Sequence, residues 1–276
     1  MGDVTIIIVS FNTRAELEAC LSSIAAAPPS VPHRIVVVDN ASSDGTPEAL
    51  RRHWPGVRLI ASDRNLGFAA ANNLAIREAG SEFVLLLNSD TLVPAGAIDT
   101  LVRTLESDPG AVAAGPRLVG ADGRPEISFG SMMGPFSELR QKALGRLYAR
   151  RTPAAVAWIE RQVRRPHRPD WVSGACLIVR RADALAAGLF DDRYFLYAED
   201  VDFCAALRGL GRHILFVPDA EVVHLRGASR RKRPEAAERA YRRSQLAFYR
   251  KHHPRWAAVL RAYLRLRGKL PPGDEA

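Results

Sequence analysis

Phe83-Val84-Leu85-Leu86-Leu87-Asn88-Ser89-Asp90 is the stretch that decides how the rest of the chain reads. Five consecutive apolar residues are too few to span a membrane and fit a strand buried on both faces of a parallel sheet. The run then ends in an amide, a hydroxyl and a carboxylate. In open α/β sheets the carboxyl ends of strands are where ligand chemistry sits. A carboxylate there also serves as an ordinary cap for the following segment, so the neighbouring segments must decide between the two readings.

Upstream, Val4 to Ser10 is an apolar, β-branched run that predicts a first buried strand, followed by an amphipathic helix through Leu17, Leu21 and Ile24. Arg34 to Asp39 predicts a second strand, ending in Asp39-Asn40-Ala41-Ser42-Ser43-Asp44-Gly45. Thr46-Pro47-Glu48 then announces a helix by cap, first-position proline and early acid. Val57 to Ile60 predicts a third strand, and Asn65-Leu66-Gly67-Phe68 a loop opening a helix with Ala71, Leu74 and Ala75 toward the core and Asn72 polar. Strands and helices alternating at this spacing predict parallel β-α-β units. The turn after the first strand, Ser10-Phe11-Asn12-Thr13, lacks the glycine-rich dinucleotide fingerprint, and no Gly-x-x-x-x-Gly-Lys phosphate loop occurs. Carboxylates and amides stand at the strand ends instead, and these suit a ribose, a base edge and a divalent cation.

Downstream, Ala97 to Leu105 predicts a helix and Ala111 to Leu118 a strand. Residues 128–169 read as an irregular, arginine-rich insert lying over the site. Trp171 to Val179 returns to the buried-strand pattern, and Phe195 to Phe203 leads into a helix through Leu207 and Leu210. Two short strands, His213 to Val217 and Glu221 to His224, are expected around Pro218, after which the sheet domain ends near residue 225.

The 276 residues suffice for one large domain or two small ones, and 47% hydrophobic content supplies a sizeable core. No basic leader precedes the first apolar run and no run approaches the roughly 18 residues of a spanning helix, so a cytoplasmic protein is expected. Cys20, Cys176 and Cys204 are too few and scattered for a zinc site or disulfide framework. The net charge of +9 is unevenly spread: Arg226 to Lys269 holds 15 of the 39 Lys and Arg but 2 of the 30 Asp and Glu, leaving 24 basic against 28 acidic residues elsewhere. Arg230-Arg231-Lys232-Arg233 opens this tail, and Tyr241, Leu246, Phe248 and Tyr249 alternate with Arg242, Arg243, Arg250 and Lys251. From Trp256 to Leu266 the apolar residues fall mostly on one helical face among arginines. That is the composition of a helix on an anionic bilayer through residues 230–267; a helix packed on the domain with solvated arginines is the competing reading.

Seven segments in order, Val9-Ser10-Phe11-Asn12, Val38 to Thr46, Asn65-Leu66-Gly67-Phe68, Asn88-Ser89-Asp90, Trp171 to Ala175, Glu199-Asp200-Val201-Asp202 and Val223-His224, resemble glycosyltransferase family 2. These are the inverting enzymes of GT-A fold, and the rhamnosyltransferase-like branch that builds bacterial cell-surface polysaccharides is the most similar. The resemblance covers about residues 4 to 225. It implies a GT-A catalytic domain over 1–225, a mostly parallel central sheet flanked by helices, and a helical extension over 226–276.

By the same resemblance Asp39 binds the nucleotide base, with Ser10, Asn12, Asp44, Asn65, Gly67, Asn72, Asn88 and Ser89 around the nucleotide. Asp200 is the catalytic base, with Glu199 beside it as a second catalytic residue, and Trp171, Ser173 and Gly174 shape the donor and acceptor pocket. Asp90 and His224 hold Mg²⁺ or Mn²⁺. The chain departs from the family's Asp-x-Asp motif, because Asn88 occupies the first position. The expected partners are a dTDP or UDP sugar, with dTDP-L-rhamnose the leading choice, and a saccharide or lipid-linked acceptor. At a helix start Asp200 is expected to have a lowered pKa and to stay ionised. Two other classes remain open at the sequence level. A nucleic-acid-binding protein is suggested by the basic, aromatic tail but opposed by the acidic body. A nucleotidyltransferase would need a basic triphosphate loop, for which Arg14 is the only candidate near the first strand.

Overall fold

The computed structural model describes residues 2–225 and 234–274. Its first half is built from β1 (Val4–Ser10), β2 (His33–Asp39), β3 (Arg58–Ala61) and β4 (Phe83–Asn88), joined by α1 (Arg14–Ala26), α2 (Thr46–His53) and α3 (Gly67–Glu78). These four strands are all parallel, in the order β3-β2-β1-β4. The second half adds β5 (Thr91–Leu92), α4 (Ala97–Ser107), β6 (Ala111–Val119), β7 (Phe129–Gly130), α5 (Pro135–Ala149) and α6 (Pro153–Gln162). It continues through β8 (Trp171–Val172), β9 (Cys176–Arg180), α7 (Arg181–Ala186), α8 (Glu199–Gly209) and β10 (His213–His224). The eight-stranded sheet runs β3-β2-β1-β4-β9-β6-β10-β5, and β7 pairs with β8 separately. β9 is antiparallel to both of its neighbours and β5 to β10, so the sheet is mixed, with a parallel majority.

Both faces of the sheet are covered, which is why its strands read as unbroken apolar runs. Side chains alternate across a strand: Ile6, Ile8, Leu85 and Leu87 meet Leu17, Leu21 and Leu101 on one face, while Ile7, Val84 and Leu86 meet Ala71, Ala75 and Phe203 on the other. The three cysteines are free and buried. Two further helices, α9 (Pro234–His252) and α10 (Pro254–Leu266), form the C-terminal part. In α9, Leu246, Phe248 and Tyr249 are buried, and the last two pack with Met133, Tyr194, Ala198 and Val201. Helix α10 buries Leu264 but leaves Trp256, Val259, Tyr263 and Leu266 exposed. Arg230 to Arg233 lie outside the described residues.

Several sequence expectations are corrected. Residues 128–169 hold two helices, α5 and α6, with Ile159 and Val163 built into the core. Leu74 is exposed, and Ala69 and Ile76 fill the face expected of it. The predicted strand from Trp171 to Val179 is two strands split at Ser173 to Ala175, so that Gly174 and its neighbours form a turn at the sheet end. The two strands around Pro218 are one, β10, whose register against β6 shifts between Val217 and Glu221. Thr46 is not the α2 cap but its first helical residue: Gly45, at φ 79°, holds the cap position, and the Asp44 carboxylate before it accepts from the Thr46 N–H and hydroxyl.

Candidate active site

The parallel register sets Ser10 opposite Asp39 and Val9 opposite Asn88, so the carboxyl ends of β2, β1 and β4 lie side by side. Asp39 is 1% exposed. Its Oδ2 accepts from the Ser42 N–H at 3.0 Å, while Oδ1 is buried with no protein partner. A buried carboxylate oxygen without a donor is costly, and a base imide N–H is the complement that would relieve it. Asn12, at φ 54°, accepts from the Ser43 N–H at 2.8 Å and binds the first strand's turn to the second's. Asp44 accepts from the Arg14 N–H at 2.9 Å as well as from Thr46. Partial burial opposes its charge, but these hydrogen bonds outweigh burial and hold its pKa below the usual value. A depression of about 410 Å³ opens beside Asn12, Arg14 and Asp44.

Next along the row, the hydroxyls of Ser10, Thr13 and Ser89 form a chain at 3.1 and 2.9 Å that links the ends of β1 and β4. Asn40, beside Asp39, donates to Asn65 Oδ1 at 3.0 Å and to the Gly67 carbonyl at 3.1 Å. Gly67 itself has φ +83°, and a Cβ there would stand 2.5 Å from the Phe195 carbonyl oxygen. The Asn65 loop is thereby clamped to the segment leading into α8. Asn72 is buried and donates to Phe68 of its own helix, so its contact is internal to α3.

Asp90 follows β4, and the next residue, Thr91, pairs antiparallel with His224 at the end of β10. That pairing brings Asp90 Oδ1 to 3.3 Å from His224 Nε2. The other ring nitrogen, Nδ1, faces Glu126 Oε2 at 3.1 Å. Burial disfavours the charged imidazole, but the two carboxylates more than offset it and raise the His224 pKa to about 9. A carboxylate oxygen and an imidazole nitrogen, the latter oriented through its second nitrogen by a carboxylate, suit Mn²⁺ or Mg²⁺. No group of three or more such side chains is poised for a metal among the described residues, so an ion held here would take most of its ligands from diphosphate and water.

At the neighbouring sheet end, Asn88 N–H donates to the Ala175 carbonyl at 2.9 Å. One residue earlier, the Gly174 N–H donates to Asp200 Oδ2 at 2.9 Å. A Cβ on Gly174 would sit 3.3 Å from the Cβ of Asp200, so the small residue permits the carboxylate's close approach. Asp200 lies at the start of α8, where Val201 N–H also donates to it. Contrary to the helix-dipole expectation, its pKa is raised: desolvation outweighs the backbone hydrogen bonds. Glu199 is buried as well, and its pKa is pushed well above the usual value by burial and by the Asp200 charge.

The sequence of the chain matches the description "Glycosyl transferase family 2" over residues 5–168. The chain belongs to glycosyltransferase family 2. It is 33% identical over 96% of its length to the N-acetylglucosaminyl-diphospho-decaprenol L-rhamnosyltransferase of Mycobacterium tuberculosis, 89% of which is covered. It is also 24% identical over 70% of its length to the rhamnosyltransferase WbbL of Escherichia coli, 72% of which is covered. Among solved structures, the mannosyltransferase PcManGT of Pyrobaculum calidifontis, in complex with GDP-Man and Mn²⁺, superposes with a TM-score of 0.62 at 21% identity, covering 95% of this chain and 69% of that one. GalNAc-T7 with UDP, GalNAc and Mn²⁺ gives 0.61 at 17% identity over 81% of this chain, which spans 44% of the GalNAc-T7 chain. These likenesses establish the GT-A fold.

In this glycosyltransferase, Glu126 is the site residue that sequence reasoning missed. It returns to the sheet end through a turn in which Gly123 has φ +73°, and its N–H donates to Leu118 O at 2.9 Å. The Asp122-Gly123 pair was the signal available: a turn after a strand returns the chain, and here a carboxylate, to the strand's end. Trp171 donates its indole N–H to the Ser131 carbonyl at 2.9 Å, tying β8 to the segment before α5. Ser173 Oγ accepts from the Ala175 N–H at 3.3 Å and shapes the turn that presents Gly174.

Proposed function

We propose that the protein transfers L-rhamnose from dTDP-L-rhamnose, with inversion, to a lipid-linked saccharide acceptor in cell-surface polysaccharide synthesis. The observation that carries this reading is the single row of strand-end groups from Asp39 through Ser10, Ser89 and Asp90 to Asp200. Asp39 takes the base imide N–H on its unpartnered oxygen; Ser10, Asn12, Asp44, Asn65, Gly67, Asn88 and Ser89 line the nucleotide. Asp90 and His224 would hold the divalent cation, Mg²⁺ or Mn²⁺, which when bound would supply charge neutralisation for the diphosphate. Asp200 accepts the proton of the acceptor hydroxyl as that oxygen bonds to the anomeric carbon and the nucleoside diphosphate leaves with the electron pair of the broken bond. Glu199, its pKa raised by burial and by the Asp200 charge, precedes it in α8. Trp171, Ser173 and Gly174 border the sugar and acceptor pocket.

Support for the donor and acceptor comes from the M. tuberculosis relative, whose name gives L-rhamnose and a diphospho-decaprenol acceptor, and for the cation from Mn²⁺ in two neighbours of the same fold. Residues 1–225 form the catalytic unit, with 128–169 on the acceptor side and 226–276 an extension whose helix α9 packs on it. A lipid-linked acceptor places the enzyme at the inner face of the cell membrane as a peripheral protein, and no described helix is long and apolar enough to cross it. A thermal-shift panel of nucleotide sugars with and without Mn²⁺ tests the donor, since a ligand binding only the folded state raises the melting temperature. The expected result is the largest rise with dTDP-L-rhamnose and Mn²⁺ together. An equal rise with GDP-mannose, or no rise with any nucleotide sugar, would overturn the donor assignment.

A further inference from the structure

Helix α5 begins at Pro135 and presents Phe136, Leu139, Ala143 and Leu147 to solvent. Their spacings of three and four residues put them on one stripe. Phe136 is 75% and Leu139 66% exposed, so this is an uncovered apolar face on a helix that buries only Glu138. Helix α10 does the same. Its Leu264 and the partly buried Ala257 and Leu260 point to the domain, while Trp256, Val259, Tyr263 and Leu266 form a second stripe about a third of a turn away. Tyr263 is 55% and Leu266 88% exposed.

The two stripes join. The rings of Phe136 and Trp256 meet edge to face at 5.9 Å, and His253 Nε2, just before α10, lies 2.8 Å from the Met133 carbonyl oxygen, just before α5. An exposed apolar surface of this kind marks an interaction site. Its rim identifies the partner. Arg140, Lys142 and Arg146 on α5, and Arg255 and Arg265 on α10, are exposed, with Arg150, Arg151 and Arg267 just beyond the helix ends. The one acidic residue in the two helices, Glu138, is buried and paired with Lys142. Aromatic and aliphatic side chains projecting from two helices whose exposed charged side chains are all cations match the interface of an anionic bilayer, where rings sit at headgroup depth and each basic residue adds attraction. The junction also adjoins the site: Met133 packs with Ala198 and Val201, which flank Glu199 and Asp200.

We propose that the joined faces of α5 and α10 form a two-helix foot by which the protein sits on an anionic membrane, with the Phe136–Trp256 junction toward the side from which a lipid-linked acceptor reaches Asp200. The membrane surface stands on its own observations; the direction of acceptor approach rests on the function proposed above.

The test is cosedimentation of the full chain with phosphatidylglycerol-containing vesicles and with pure phosphatidylcholine vesicles, beside Phe136→Ser/Leu139→Ser and Tyr263→Ser/Leu266→Ser variants whose melting temperatures match the parent. The expected result is binding to anionic vesicles that weakens with salt and falls at least about tenfold in each double variant. Sugar transfer to a water-soluble acceptor should remain unchanged. Parent-like binding by the α5 variant would overturn the two-helix foot. Failure of the parent to bind anionic vesicles, or dimerisation abolished by the same substitutions, would overturn the membrane as partner. Should no nucleotide sugar support transfer, the functional reading falls while the vesicle result still decides the surface.

Discussion

At the scale of single residues, the acidic pair opening α8 divides its labour through burial. Desolvation raises the Asp200 pKa, and Glu199 is raised further because the Asp200 charge adds to its own burial. On falling pH Glu199 therefore takes its proton first, and the two titrate as a coupled pair. A general base works ionised, so transfer should rise with pH through the folded Asp200 pKa, with an acid limb above that of an ordinary aspartate. Asp200→Asn should keep the fold and lose at least about 10²-fold in kcat, whereas Glu199→Gln, which mimics the neutral carboxyl, should keep most activity and the same acid limb. A pH–rate profile of both variants checks this; an Asp200→Asn enzyme near parental turnover contradicts it. Asp39, Asp90 and Asp200 were legible as carboxylates at strand or helix ends. The direction of the Asp200 shift was not, because the helix start and the Val201 N–H that lower it are local in sequence while the desolvation that raises it comes from the folded surroundings and outweighs even the added Gly174 N–H. Glu126 was only partly legible: the Asp122-Gly123 turn signals that the chain returns, but its pairing with His224 arises only in the fold.

At the scale of elements, long periodic segments were readable and short or packed ones were not. β1, β2 and β4 follow from their apolar runs, whereas β5, two residues long, carries no periodic signal although it sets Asp90 beside His224. The arginine-rich insert hid α5 and α6 because helices that cover little core have weak apolar periodicity. Helix α9 is less peripheral than its basic composition suggests. The buried Asp202, two residues beyond Asp200, accepts from Lys251 Nζ at 2.8 Å and lies 2.6 Å from His252 Nε2. Lys251 also reaches Asp191 at 2.8 Å. Helix α9 thus latches the helix that carries the proposed base. Lys251→Ala leaves part of a buried carboxylate's hydrogen bonding unmet and should cost about 1–3 kcal/mol, read as a melting temperature lower by several degrees. An unchanged melting temperature would mean that α9 is only loosely docked.

For the whole molecule, charge is segregated. Residues 226–269 carry 15 basic against 2 acidic residues, and the rest of the chain 24 basic against 28 acidic, for a net of +9 overall. Composition could identify an amphipathic, basic tail, but only packing divides it into α9, buried on the domain, and α10, with an exposed stripe that continues onto α5. The proposed function requires the strand ends to form one site for a metal-bound nucleoside diphosphate. Equilibrium binding of dTDP to the parent, Asp39→Ala and Asp90→Ala proteins, each with and without Mn²⁺, tests this most directly. Both variants should bind at least about tenfold more weakly with Mn²⁺ present, and Mn²⁺ should strengthen binding to Asp39→Ala but not to Asp90→Ala. Parental affinity in either variant, or a full Mn²⁺ effect in Asp90→Ala, would contradict it.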